Sequence, residues 1–399
     1  MEERTGVCFP LGFKAGGINC GIKKEKKDIA VIISETDCIA EACSTTNRIK
    51  SYSLLWSLKN LKNPIRAVLI NSGNANVLGG KQGWEITCNI MNEFSNILNT
   101  NRKHVLFAST GIIGKILPEQ KIITGLKSLL KSASCFGGND AAEAIMTTDR
   151  FPKQIEYKTN IKARKKNQFV CLGGMAKGAG MICPNMATML AFITTDAVIQ
   201  RTALRQALKK AVNNSFNMIT VDNDQSTNDF VVCLANGLAG NKIIKENTED
   251  FEIFSDGLLN VCQFLAKKIA ENGEGADRLI EVRVESAWSE KDARRIAKKI
   301  AGSNLVKAAV TGMWPNWGRI AASAGSVCGR FNPQAMKIFI GDHLVFDGFP
   351  CNVDEPILRK ELSKKQVIIK VVLKSGNKSA VAWGCNLTEQ YVKINMEKE

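Results

Sequence analysis

The stretch Lys177-Gly-Ala-Gly-Met-Ile-Cys-Pro-Asn-Met-Ala-Thr-Met-Leu-Ala-Phe-Ile-Thr-Thr-Asp-Ala197 joins a glycine-rich segment to an apolar run. Gly178 and Gly180 permit close backbone approach and unusual φ/ψ, so the first part reads as a turn. The run Met189–Ile193 that follows reads as a buried strand. Between them, the small residue Ala187 precedes Thr188. A small side chain leaves space around its carbonyl for attack by the following hydroxyl. An N→O acyl shift and hydrolysis would then expose the α-amine of Thr188. A free α-amine has a pKa of about 7.7–8.0, so it can serve as general base for its own hydroxyl. Composition alone also allows a plain glycine-rich turn feeding a strand, and both readings stand at this point.

Working outward, the preceding chain alternates short apolar runs with Gly, Asn and Ser. Ile29–Ser34, Ala67–Asn71, Val105–Ser109 and Phe169–Leu172 read as strands. Helical spacing is carried by Gly83–Leu98, and Glu119–Ser132 and Asp140–Met146 read as further helices. The basic, low-apolar segment Lys158–Gln168 reads as an exposed hairpin or loop. Downstream, Thr202–Asn213, Asp250–Gly273 and Glu290–Ala301 read as helices, and Leu279–Val284, Ile338–Ile340, Val367–Leu373 and Ala380–Cys385 as strands. The mixture predicts an α/β (mixed α+β) class. A long helix ending in Gly273-Glu-Gly275 predicts two domains, 1–278 and 279–399.

The totals exclude several classes. Apolar residues at 45% and charged residues at 23% suit a globular chain with a sizeable core. Neither a signal peptide nor an 18-residue apolar run is visible, so a soluble, cytoplasmic protein without membrane partner is expected. Thirteen cysteines without a C-x-x-C pair point to reduced structural thiols, and two histidines leave a Cys/His metal site unsupported. The net charge of +16 is dispersed, and with 7% aromatics and no recognition motif it reads as solvated basic faces rather than a nucleic-acid site. His104 and His343 are too few to build the usual Ser-His or Cys-His machinery around a G-x-S-x-G elbow, which is absent. No P-loop or G-x-G-x-x-G is complete, so no nucleotide site is read.

The specific residues carry more. The run Lys177–Ala197, together with PLGFKAGG (Pro10–Gly17), TTNRIK (Thr45–Lys50), INSGNAN (Ile70–Asn76), ASTGIIGKILP (Ala108–Pro118), AIMTTDRFPK (Ala144–Lys153), TVDNDQSTND (Thr220–Asp229), GEGADRLIEV (Gly273–Val282) and PNWGRI (Pro315–Ile320), closely resembles, in order, the ornithine acetyltransferase (glutamate N-acetyltransferase) family of arginine biosynthesis. The resemblance covers essentially the whole chain. It implies a layered α/β sandwich as main domain and a smaller C-terminal α/β domain. It also implies self-cleavage between Ala187 and Thr188 into an α chain (1–187) and a β chain (188–399), assembled as two α and two β chains. Thr188 would take acetyl from N2-acetylornithine and pass it to glutamate through an acyl ester, which fits covalent catalysis.

By the same resemblance Thr110 and Gly111 form an oxyanion hole. Thr147, Lys177, Thr188, Glu274 and Asn395 contact small amino-acid substrates. Lys177 would pair with a carboxylate, and Glu274 would bind the ornithine amine or relay protons. Asp222, Asp224, Thr227 and Asn228 are expected to brace the site rather than bind a metal. No cofactor is expected, although acetyl-CoA is open as a co-substrate through the amino-acid N-acetyltransferase activity of bifunctional members.

Two departures bear on substrate choice. Family members usually run slightly past Asn395-Met-Glu-Lys-Glu399 to a substrate-contacting threonine, and Trp314 replaces the usual aspartate before PNWGRI. Competing readings are a Thr-nucleophile amidase or aminopeptidase, a relative with a drifted acceptor, and a catalytically idle basic binding protein.

Overall fold

The computed structural model describes residues 3–165, 168–183, 189–327 and 329–396. Two compact units emerge, one holding most of the chain up to Ala266 and the other holding Ala179–Pro184, Met218–Asp224 and the chain from Lys267.

The first unit contains strands β1 (Phe13–Ile18), β2 (Ile29–Ser44), β3 (Ile65–Asn74), β4 (Val105–Ile112), β5 (Lys153–Lys162), β6 (Phe169–Lys177), β7 (Leu190–Thr195) and β8 (Phe230–Ala235). Its helices are α1 (Tyr52–Asn60), α2 (Gly80–Ile97), α3 (Glu119–Ser132), α4 (Gly138–Ala144) and α5 (Arg201–Asn213), with most of α6 (Glu249–Glu271). The strands run in the order β4-β3-β2-β8-β7-β6-β5, and β1 pairs β2. Long β2 is shared. Its first half pairs β1 and β3, its second half pairs β8, and the register breaks between Ile33 and Cys38.

Alternation along the strands sorts the core into layers. On β3, Val68 and Ile70 join Ala30 and Ile32 of β2 and pack with Met175, Phe192, Phe230 and Val232 of β6–β8. Ala67 and Leu69 point the other way, with Ile29 and Val31, against Ile90, Met91 and Phe94 of α2 and Ile122, Leu126 and Leu129 of α3. Both faces of this sheet are therefore apolar, as a sheet covered twice requires. At the β6 end of the sheet, Gly174 lies against Val261 and Leu265 of α6, so a helix covers this part as well. The free edge of β4 is closed by α1: Trp56 Nε1 donates to the Val105 carbonyl (3.1 Å), and Ser57 bonds both backbone groups of Phe107 at 2.7 Å.

The segment read as an exposed hairpin or loop is half strand. β5 continues to Lys162 and pairs antiparallel with β6, and Ala163 closes the turn by donating to Gln168. The described cysteines are free thiols, several of them buried, and burial pushes Cys8 and Cys38 up to about 12.

The second unit is a five-stranded sheet in the order β11-β10-β12-β9-β13, formed by β9 (Leu279–Ala287), β10 (Lys337–Ile340), β11 (His343–Asp347), β12 (Gln366–Val372) and β13 (Lys378–Cys385). Its helices are α7 (Glu290–Ala301), α8 (Asn304–Thr311), α9 (Trp317–Gly325), α10 (Glu355–Leu362) and α11 (Glu389–Met396). Ser289 caps α7 by accepting the Asp292 N–H at 3.1 Å, and Ala293, Ile296, Ala297 and Ile300 form its buried face. Trp314 has the Arg319 guanidinium over its ring at 4.6 Å, a cation–π contact. No described helix is long and apolar enough to cross a membrane.

Candidate active site

Thr110 and Gly111 stand at the end of β4, where the β3–β4 pairing slips and Asn74 lies opposite both Thr110 and Ile112. Gly111 has φ +131°, and a Cβ there would fall 2.3 Å from the Gly73 carbonyl carbon and 2.5 Å from the Asn74 nitrogen. Only glycine meets both demands. A web of amides fixes this turn. Ser109 Oγ donates to Asn71 Oδ1 (2.6 Å), and Asn71 Nδ2 donates to the Asn74 carbonyl (2.9 Å). Asn228 Nδ2 donates to the carbonyls of Ser109 (2.7 Å) and Ala75 (2.6 Å). Asn71 of INSGNAN and Asn228 of STND thereby act as braces, each donating to a backbone carbonyl of the turn.

Lys177 ends β6, is 7% exposed, and its Nζ donates to Thr110 Oγ1 at 3.2 Å. A hydroxyl that accepts from an ammonium has its own proton left to donate elsewhere. Thr110 can therefore offer an O–H to a developing oxyanion beside the Gly111 N–H, in a setting made positive by Lys177.

Asp149 joins the rest. Its carboxylate accepts the Gly178 N–H (2.8 Å) and the Thr147 N–H (3.0 Å), and it pairs with Lys153 Nζ at 2.5 Å, both side chains being fully buried. Burial pushes the Asp149 carboxyl up, but the Lys153 and Lys177 cations and the Gly178 N–H outweigh it and hold the acid well below the usual carboxylate range. Burial in turn pulls the Lys153 ammonium down, against the pull of Asp149. One buried anion thus ties the Thr147 turn to the residue after Lys177. Sequence reading singled out Thr147 and Lys177 but not this hub, although Pro152 excludes an ordinary helix-surface pair between Asp149 and Lys153.

In the second unit, Glu274 and Asn395 meet: Asn395 Nδ2 donates to Glu274 Oε2 at 2.9 Å. The Glu274 N–H donates to the Ala179 carbonyl (3.0 Å), and a Cβ on Gly180 would fall 2.4 Å from the Glu274 carboxyl. Asp222 accepts the N–H groups of Met181 (2.6 Å) and Ile182 (2.8 Å), so it braces the glycine-rich segment, in keeping with the bracing role expected of its cluster. Ala187 and Thr188 lie outside the described residues.

A family model described as the ArgJ family matches residues 14–398. The arginine biosynthesis bifunctional protein ArgJ of Symbiobacterium thermophilum is 44% identical over 395 residues, covering 98% of this chain and 97% of that one. Its counterpart in Dehalococcoides mccartyi is 46% identical over 396 residues, covering 98% and 96%. A solved structure of the arginine biosynthesis bifunctional protein of Bacillus halodurans is 43% identical with a TM-score of 0.52, covering 52% of this chain and 99% of that one. The chain belongs to the ArgJ family.

Proposed function

We propose that this chain is an acetyltransferase of arginine biosynthesis that moves acetyl from N2-acetylornithine to glutamate through an ester on Thr188. The observation that carries the reading is the Lys177–Thr110 hydrogen bond beside the obligatory glycine at 111. That pair offers a hydroxyl and a backbone N–H to a tetrahedral oxyanion, which acyl transfer generates twice, once on loading and once on unloading. Lys177 supplies the cation for a substrate carboxylate, and Thr147 a polar neighbour held in place by Asp149. Glu274, positioned by Asn395, supplies a carboxylate suited to the ornithine side-chain ammonium.

Self-cleavage at Ala187–Thr188 would free the amine that serves as base, and two α and two β chains would then form the cytoplasmic enzyme. Its substrates are small amino acids, without nucleic-acid or membrane partners. No cofactor is needed for this chemistry, and acetyl-CoA is the second donor for a bifunctional enzyme. Ornithine release from N2-acetylornithine tests the reading. It should require stoichiometric glutamate, with N-acetylglutamate appearing at the same rate. Release at full rate without glutamate would replace the transferase by an amidase.

A further inference from the structure

The run Lys23-Lys-Glu-Lys-Lys27 reads in sequence as part of a solvated basic face, and the structure divides it. Lys24, Glu25 and Lys26 are exposed, and Lys27 pairs with Asp140 (2.5 Å) and Glu143 (2.8 Å) of α4. Lys23 turns inward. Buried Asp28 fixes the bend, its two carboxylate oxygens accepting the N–H groups of Cys20 (2.7 Å) and Lys23 (2.9 Å). Asn19 Nδ2 closes it by donating to the carbonyls of Lys23 (3.1 Å) and Lys26 (2.6 Å).

The Lys23 side chain runs past the oxyanion turn. A Cβ on Gly73, the residue paired with Gly111, would fall 3.3 Å from Lys23 Cγ and 3.6 Å from its Cε. The ammonium ends at the segment that carries Thr147, donating to the Met146 carbonyl at 2.5 Å and to the Lys27 carbonyl at 3.1 Å. These bonds use two of its three N–H groups. Burial pulls the ammonium down to about 8, with Asp28 and Asp149 opposing and Lys177 and Lys26 adding to the fall, so it is still a cation at neutral pH. Asp149 is held by Lys153, and neither Lys23 nor Lys177 has an ion pair among the described residues. Two neighbouring cations drawn out of water without a counter-ion call for an anion from outside.

We propose that Lys23 is a further substrate-binding residue, its ammonium pairing beside that of Lys177 with the α-carboxylate common to N2-acetylornithine and glutamate. The inference rests on the acetyl-transfer reading of the site. One carbon joins that carboxylate to the nitrogen that loses or gains acetyl, so its partner must lie next to the turn that holds the oxyanion. Lys23 lies there, and its two carbonyl anchors fix the charge before substrate arrives. The far ends of the two substrates differ in charge, whereas this carboxylate is the same in both half-reactions.

The test compares wild type, Lys23→Met and Lys23→Arg on N2-acetylornithine and on its α-carboxamide, which lacks the negative charge. In Lys23→Met, kcat/KM for N2-acetylornithine should fall ~10–100-fold, the usual worth of a hydrogen bond to a charged group, and mostly through KM. On the carboxamide, a poor substrate for every chain, wild type and Lys23→Met should agree within about twofold, because the interaction is already gone. Lys23→Arg should recover most of the loss on N2-acetylornithine. An equal fall on acid and carboxamide, carried by kcat, would overturn the pairing and make Lys23 an anchor of the Met146–Thr147 segment. Wild type carries the same test without any substitution: equal kcat/KM for acid and carboxamide would also overturn it. A wild-type chain that releases no ornithine from N2-acetylornithine would overturn the acetyl-transfer reading itself, and the inference with it.

Discussion

Replacing Gly111 by alanine is expected to lower acetyl transfer by on the order of 100–1000-fold, the usual consequence of losing one oxyanion donor. Two strains act together. The φ of +131° is one that an alanine rarely adopts, and the new methyl would sit 2.3 Å from the Gly73 carbonyl carbon, which is backbone and cannot step aside. The β3–β4 bulge must open, which moves the Gly111 N–H and the Thr110 hydroxyl away from the point where the proposed oxyanion would sit. Asn228, Asn71 and Asn74 anchor the surrounding carbonyls, so the damage should stay local. Steady-state kinetics should show the fall in kcat, with a smaller change in KM. Wild-type kcat in a folded Gly111→Ala chain would remove this turn from the catalytic machinery.

Replacing Asp149 by alanine should be strongly destabilising. It leaves Lys153 as an uncompensated charge in the core, for which about 3–5 kcal/mol is the usual cost. It also strips the acceptor from Gly178 and Thr147. Thermal or urea unfolding should report a fall of that size, and acetyl transfer should drop with it as Thr147 and the backbone after Lys177 lose their tether. The pH dependence has a defined sign. The folded-state pKa of Asp149 is depressed below its unfolded value of about 3.9. Its contribution is therefore present in full above that value and is lost as the pH falls through the folded pKa, in strong acid. Unfolding curves of wild type and Asp149→Ala should differ most near neutrality and converge at the acid end.

Much of the framework was legible because the signals were periodic. Glu119–Ser132 and Glu290–Ala301 are found at the bounds that apolar spacing predicts, and Asp250–Gly273 differs from α6 by a residue or two at each end. What escaped was short or unpatterned. β8, Phe-Val-Val-Cys-Leu-Ala, is buried on both faces and shows no alternation. β2 was read only to Ser34, because the polar Glu35-Thr-Asp37 that interrupts it marks a bend rather than an end. α1 and α8 to α11 are too short for a clear period.

The site divides in the same way. Thr110, Gly111, Thr147, Lys177, Glu274 and Asn395 came from motif resemblance, and the structure joins Thr110 to Lys177 and Glu274 to Asn395. Asp149 carries no local mark of burial in the sequence, and it receives Gly178 from 29 residues away. The Asn-rich stretch at 71–76 is similar: its residues look like turn formers, yet they hold up the turn that carries Gly111.

Thr188, as proposed, cuts its own chain and then carries acetyl. Intact mass of freshly purified, active protein tests this directly, with Thr188→Ala as the control. Wild type should give two fragments divided between Ala187 and Thr188, the larger fragment gaining about 42 Da for one acetyl group when N2-acetylornithine is added without glutamate, while Thr188→Ala should remain whole and inactive. A single 43.6 kDa species from fully active wild-type protein would contradict it.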